Sequence, residues 1–235
     1  MKKRGFTLAE VLIAMAMVGV ISALTMPTFI ANSRNKAHAA KLASTVSAVE
    51  SAFQSMMASQ AEDELANTRF GRNRNAASLG EYLKLNSGDS SLVAIGYSSA
   101  TPFKNINSNN FTNGIYNRAF VTKNGSVIGI RNDNINRSDA VVRANGGSVT
   151  TAIGYMVIDV NGPSMPNRWG RDAFLFIMGN DGMLYPAGSL NYSILTFGNA
   201  NALHNIAGSF MECTGNTFTA GCTARLIEDN YEINF

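Results

Sequence analysis

Glu10 is the only charged side chain between Arg4 and Arg34. The 23 residues from Val11 to Ser33 carry no charge and are mostly apolar. A helix needs about 20 such residues to cross a hydrocarbon core about 30 Å thick, so this run is long enough to span a membrane. A carboxylate at the edge of a spanning helix is expensive, by up to a few kcal/mol on insertion scales, and calls for a partner. The residues before it suggest one. A cut between Gly5 and Phe6 would create a positive α-amine about one helical turn from Glu10. The same amine on a second copy would neutralise the acid inside a low-dielectric helical bundle and reward one register of assembly.

Further along, Asp159, Asn161, Asn167 and Asp172 lie within one segment that also contains Gly162, Pro163, Pro166 and Gly170. Oxygen side chains gathered in a Gly/Pro loop suit Ca²⁺, a hard cation that takes six to eight oxygens. They equally suit tight turns, in which Asn and Asp bond their own backbone. The pattern is not that of an EF-hand loop. Trp169, in the same segment, reads as a core plug. Cys213 and Cys222 are close in sequence, with Gly215 and Gly221 between them, and can reach disulfide geometry. In an exported chain a bridge is the expected state, worth about 2–3 kcal/mol for so short a loop. The serine-hydrolase Gly-x-Ser-x-Gly, the phosphate-binding Gly-rich loop and His-Glu-x-x-His are all absent from the sequence. The two histidines, His38 and His204, suggest no triad.

The elements that must position these residues follow from period and punctuation. Lys2, Lys3 and Arg4 precede the apolar run and predict that the extreme N-terminus stays cytoplasmic. The helix does not stop at the end of that run. Apolar residues recur at Ala39, Leu42, Val46, Val49, Phe53, Met56 and Met57, the spacing of an amphipathic face. An ordinary signal peptide would instead end in a small-residue cleavage site. Pro27 removes a backbone hydrogen bond inside this helix, so a kink or loosening is expected there, and Gly19 is a second weak point. After about Ala61 the sequence reads as a connection, with a short helix over residues 77–85.

The remainder reads as strands. Residues 118–122 and 126–131 flank Lys123-Asn124-Gly125, a strong hairpin signal. Residues 155–160, 173–178 and 183–186 follow, with Asn180-Asp181-Gly182 as a turn, and residues 224–235 offer a last short strand. A long helix followed by antiparallel hairpins is an α+β architecture with the helix laid on the sheet. The expected organisation is a leader over 1–5, a spanning half-helix over 6–30, an amphipathic half over 31–62 and a β-rich globular domain over 63–235.

The formal charge of +3 indicates no nucleic-acid partner. Lys2, Lys3 and Arg4 account for all of it, so the chain without residues 1–5 is formally neutral. Arg69, Arg72 and Arg74 form one local basic cluster, read as a solvated loop.

The order Lys-Lys-Arg-Gly5, Phe6, Thr7-Leu8, Glu10 and an apolar helix containing Pro27 resembles the class III signal of type IV prepilins and type II secretion pseudopilins. The resemblance covers roughly the first 30 residues and is architectural thereafter, including a C-terminal disulfide-closed loop, here Cys213 to Cys222. It implies cleavage after Gly5 by a membrane prepilin peptidase and N-methylation of Phe6. It also implies that Glu10 aligns with the N-terminus of an adjacent subunit in a filament. The implied partners are other pilin or pseudopilin subunits and an inner-membrane assembly platform. The implied location is the bacterial inner membrane, then a periplasmic pseudopilus or a surface pilus. Some secretion pseudopilins carry a calcium-binding loop, which the Asp159–Asp172 segment resembles. A filament-tip or minor subunit, presenting its loops for adhesion or DNA uptake, is the alternative role.

Replacing Gly5 tests the assigned cut. Gly5→Val is expected to leave the precursor uncut by intact mass; normal trimming would move the site elsewhere.

Overall fold

The computed structural model describes residues 7–73, 76–86, 88, 91–98, 103, 118–130, 140–143, 150–187, 192–194, 221–231 and 233. Leader residues 1–5, Phe6, Arg74 and Cys213 lie outside them.

The helical pattern produces one unbroken helix, α1, Leu8–Gln60. At about 1.5 Å per residue it is about 80 Å long. Pro27 sits inside it without ending it. The hydroxyls of Thr25 and Thr28, on either side, donate back to the carbonyls of Ile21 and Thr25 at 2.9 Å. Such back-bonding satisfies hydroxyls that an apolar surrounding would otherwise leave unpaired. Burial divides the helix sharply. Among its residues up to His38 none is buried, whereas Ala39, Leu42, Thr45, Val46, Val49, Ala52, Phe53, Met56 and Met57 all are. These nine form one face at three- and four-residue spacing.

α1 ends at Ala61, which takes the left-handed conformation (φ 53°, ψ 41°). The amide of Glu62 reaches back to the carbonyl of Met57 at 3.0 Å, the long bond of a Schellman-type cap. A 3₁₀ turn (Leu65–Asn67) and two short helices follow, α2 (Arg69–Asn73) and α3 (Ala76–Gly80). The supposed loop around Arg69 and Arg72 is therefore helical. Phe70 from α2 stacks against Phe53 of α1, with ring centroids 5.1 Å apart.

Seven strands are described: β1 (Arg118–Val121), β2 (Val127–Ile130), β3 (Ala140–Arg143), β4 (Thr150–Asp159), β5 (Ala173–Gly179), β6 (Leu184–Pro186) and β7 (Tyr192–Ile194). Five of them form an antiparallel sheet in the order β1-β2-β4-β5-β6. β3 pairs with the first residues of β4 and carries β7 on its other edge. The β1–β2 hairpin closes over Lys123-Asn124-Gly125. Gly125 has φ +80°, and its amide donates to Thr122 at 2.9 Å. This is the three-residue turn whose last position favours glycine.

Both faces of the sheet are buried. Met156, Ile158, Phe174, Phe176, Phe120 and Ile128 face α1, while Tyr155, Val157, Leu175, Ile177 and Trp169 pack against Leu92, Tyr97 and Phe103. The C-terminal segment departs from its expected strand: it forms a helix, α4 (Gly221–Glu228). Leu226 joins the core beneath α1, and Thr223 accepts the Leu175 amide at 2.9 Å, satisfying a donor of β5 that β6 does not reach.

The cap at Ala61 holds an L-residue where glycine is preferred, at a cost of about 1 kcal/mol. Ala61→Gly is expected to raise the melting temperature of the detergent-solubilised chain by about 2–3 °C; an unchanged or lower value would reject this account of the helix end.

Candidate functional site

The first site is the N-terminal half of α1. Thr7 is its N-cap: the Thr7 hydroxyl accepts from the Glu10 amide at 3.3 Å. In return Glu10 Oε2 accepts from the Thr7 amide at 2.8 Å and from the Thr7 hydroxyl at 2.9 Å. This is a complete capping box, and the acid sits where the helix dipole favours negative charge. Glu10 therefore has an intrachain partner besides the neighbouring amine expected for it. Both Thr7 contacts fall on Oε2, and no described group bonds Oε1.

Beyond Glu10 the helix offers its surroundings an apolar surface. Thirteen large apolar side chains from Leu8 to Ile30 are exposed, among them Leu8 at 79%, Leu24 at 73% and Phe29 at 74%. A soluble monomer rarely exposes a contiguous apolar patch beyond a few hundred Å², so water is not the partner of this segment. It is the one helix among the described residues long and apolar enough to cross a membrane.

The second site is the segment after β4. Asp159 is 1% exposed. Its Oδ1 accepts from the amides of Asn161 (3.1 Å) and Gly162 (3.0 Å), and its Oδ2 from the Tyr97 hydroxyl (2.6 Å). Asp172 is fully buried; it accepts from the Arg168 amide and, at 3.3 Å, from the Asn161 side chain. Asn167, left-handed at φ 47°, sets its side-chain amide against the carbonyls of Ser164 and Gly162, and we assign its nitrogen to that side because only a donor satisfies both, at 2.9 and 3.1 Å. Asn161 also donates to the Ser164 carbonyl at 2.8 Å.

The structure thus brings all four proposed calcium ligands together, but they bond the loop itself. The acid oxygens are engaged by N–H and O–H groups. Asn161 Oδ1 is the one buried side-chain oxygen here with no hydrogen-bond partner. Among the described residues no three His, Cys, Asp or Glu side chains gather as a metal site. Trp169 is 2% exposed and stacks on Phe103 with centroids 5.2 Å apart, as a core plug does.

Burial pushes the Asp159 carboxyl well above the usual range; the Tyr97 hydrogen bond opposes this and the Asp172 charge adds to it. Asp172 is raised by the same cause, against the Arg168 amide and the charge of His38. Lys41 of α1, half-buried, is lowered by desolvation, while the Asp159 charge pulls it back up.

The remaining residues fall into place singly. Arg69 pairs with Glu81 at 2.8 Å and Arg72 with Glu62 at 3.5 Å, all solvent-exposed or nearly so, which leaves these two arginines partnered by acids of the same chain. Cys222 is fully buried near the start of α4, and no described cysteine is free. Sequence reasoning missed Thr7, Tyr97 and Lys41. The Thr-x-x-Glu spacing of a capping box was the available signal for the first; Tyr97 and Lys41 are distant in sequence from the loop they serve.

An acid with a raised native pKa binds its proton more tightly when folded, so stability falls as pH rises from the ordinary Asp value through the raised one. Asp159→Asn keeps the Oδ1 bonds from the Asn161 and Gly162 amides without the buried charge, and its nitrogen donates to the Tyr97 hydroxyl instead of accepting from it. It is expected to raise the melting temperature at neutral pH by a few degrees and to flatten the acid-side dependence; a variant less stable at neutral pH would refute this.

Comparison with known proteins bears on the first site. Residues 1–26 match the family described as the prokaryotic N-terminal methylation motif. No curated protein and no solved structure matches the chain. The exposed apolar half-helix, the capped Glu10 and this match together identify residues 1–26 as a prepilin signal of the type IV pilin and pseudopilin kind.

Proposed function

We propose that this chain is a structural filament subunit. It is made as a membrane-anchored precursor, cut between Gly5 and Phe6 by a prepilin peptidase, N-methylated on Phe6 and polymerised into a type IV pilus or a type II secretion pseudopilus. The observation that carries this reading is the apolar half-helix bare of tertiary contacts behind a prepilin signal. Lipid covers that surface in the precursor, and the equivalent helices of other copies replace lipid in the filament. Association in lipid rests on packing and polar pairing rather than on the hydrophobic effect.

In the polymer, Oε1 of Glu10 is the acceptor for the α-amine of an adjacent Phe6, while Oε2 keeps its bonds to Thr7. Ion pairing of this kind supports register more than stability. The globular domain forms the outer shell, with a Cys213–Cys222 bridge closing its C-terminal segment.

Intact-mass analysis of the mature protein tests the processing: a chain beginning at N-methylated Phe6 and lacking two hydrogens for the bridge is expected. A chain still beginning at Met1, or cut beyond Leu24 and released, would overturn the reading. Glu10→Ala is expected to leave membrane insertion and melting temperature near those of the parent and to reduce sheared-filament yield about tenfold or more, the loss of at least 1.4 kcal/mol per contact. Wild-type yield would remove Glu10 from assembly.

A further inference from the structure

The partners of α1 change in a fixed order along its buried half. Asn35 donates to the Ile233 carbonyl at 3.4 Å. His38 is a charge neighbour of Asp172, and Lys41 of Asp159. Thr45 accepts from Asn124 at 3.0 Å and meets Ser126 at 3.3 Å in the β1–β2 turn. Further on, Glu50 accepts the Leu184 amide at 3.0 Å and Gln54 donates to the Asp181 carbonyl at 2.7 Å. The first group lies at the Asp159 end of β4, which pairs with Val127 just after the turn. The second lies at the opposite end, where Gly179 pairs with Ala152. α1 therefore runs along the strands, and the Asp159 end of the domain is the end next to the bare half-helix.

That end differs chemically from the other. Lys84 and Lys123 are exposed and adjacent, the Lys123 amide donating to the Lys84 carbonyl at 3.1 Å. Arg171 is exposed in the loop, and Arg34 and Lys36 are exposed on α1 just before it. The described acids of the loop, Asp159 and Asp172, are both buried. At the far end acids outnumber bases: Glu62, Asp63 and Glu64, directly after α1, and Asp181 stand with Arg69 and Arg72, whose partners are Glu81 and Glu62. Outside α1, only three large apolar side chains among the described residues are exposed: Val93, Met165 and Met183. Val93 (56%) and Met165 (66%) belong to abutting segments, since a Cβ on Gly96 would lie 3.4 Å from Pro163. Met183 belongs to the far hairpin.

His38 is eight residues beyond Ile30, about 12 Å along the helix. The headgroup layer reaches about 5–7 Å beyond the hydrocarbon. The loop is thus within about one long side chain of the headgroups when Leu8–Ile30 spans the bilayer.

We infer that this end of the globular domain is a foot that rests on an anionic membrane surface, with Met165 and Val93 entering the interface and Lys84, Lys123 and Arg171 facing lipid headgroups. The inference rests on the spanning role given above to residues 8–30. Cations near an anionic leaflet and apolar side chains at the interface act together in such contacts. The contact fixes the tilt of the unassembled subunit and its rotation about the α1 axis relative to the membrane, and it must be released when the subunit leaves the membrane.

The test uses the full chain in nanodiscs, with the photoreactive residue p-benzoylphenylalanine replacing Met165, Met183 or Val18 in turn. Lipid adducts are expected at 165 and 18 and not at 183. Replacing the anionic lipid by a zwitterionic one, or combining Lys84→Glu, Lys123→Glu and Arg171→Glu, is expected to lower the adduct at 165 about tenfold or more and leave that at 18 unchanged. Strong labelling at 18 with no more at 165 than at 183 would overturn the foot while keeping the spanning helix. Equal labelling at 165 in both lipids would overturn the anionic contact. Absence of lipid adduct at 18 would overturn the spanning role itself.

Discussion

One rigid helix has to satisfy two solvents. α1 is continuous from Leu8 to Gln60, and nothing in its backbone marks the change from one surrounding to the other. The side chains mark it instead. From Val11 to Ile30 the helix is uncharged and mostly apolar on every side; from Ala39 apolar residues keep to one face and Ser, Gln, Lys and Glu take the other. A helix hydrophobic all round has no preferred rotation in lipid, whereas an amphipathic one has a single docking face. The globular domain therefore fixes the rotation of the entire rod. With it is fixed the direction in which Glu10 is presented, about eight turns before Ala39, the first buried residue.

The rotation is set by polar contacts as much as by burial. Leu42, Val49, Phe53 and Met56 supply most of the apolar area, at about 1.5–3 kcal/mol for each large side chain buried. Apolar packing alone tolerates small rotations. Thr45, Glu50 and Gln54 do not, because each bonds a specific atom in a turn or strand of the sheet. Glu50 accepts a strand amide in a half-buried position, and burial raises its carboxyl above the usual range while that amide bond opposes the shift. A buried polar contact that adds little net stability still penalises every other alignment.

Legibility in the sequence followed the length of each signal. All seven apolar positions picked out between Ala39 and Met57 are buried, because five turns of one period leave little ambiguity. The Asn124-Gly125 turn and the strands around residues 155–160 and 173–178 were equally plain. Short elements were not. β3 and β7, of four and three residues, carry too little alternation to stand out. Residues 221–228 hold Leu226 and Ile227 side by side, a pair that fits a strand or a helix; packing of this segment on β5 and β6, with Leu226 in the core, settles it as helix. At the Asp159 loop the residue types were visible but their mutual bonding was not, since Tyr97 and His38 come from far away in the chain.

Glu10 shows where a sequence argument can be right about a residue and incomplete about its reason. An acid at the edge of an apolar span demands compensation, and the chain supplies part of it locally: Thr7 and the helix N-terminus hold Oε2. That local compensation lowers the cost of carrying the acid in a lone precursor, so the acid by itself does not require a second copy. What requires one is the combination. A capped carboxylate has one oxygen engaged and one that no described group bonds, on a helix whose thirteen exposed apolar side chains leave it no stable place in water. Local capping makes the precursor tolerable in lipid, and the remaining oxygen gives a neighbouring amine a fixed target rather than a flexible one. A pre-held acceptor loses less side-chain entropy on pairing than a free one, so the capping box that removes the absolute need for a partner also makes pairing with one more favourable.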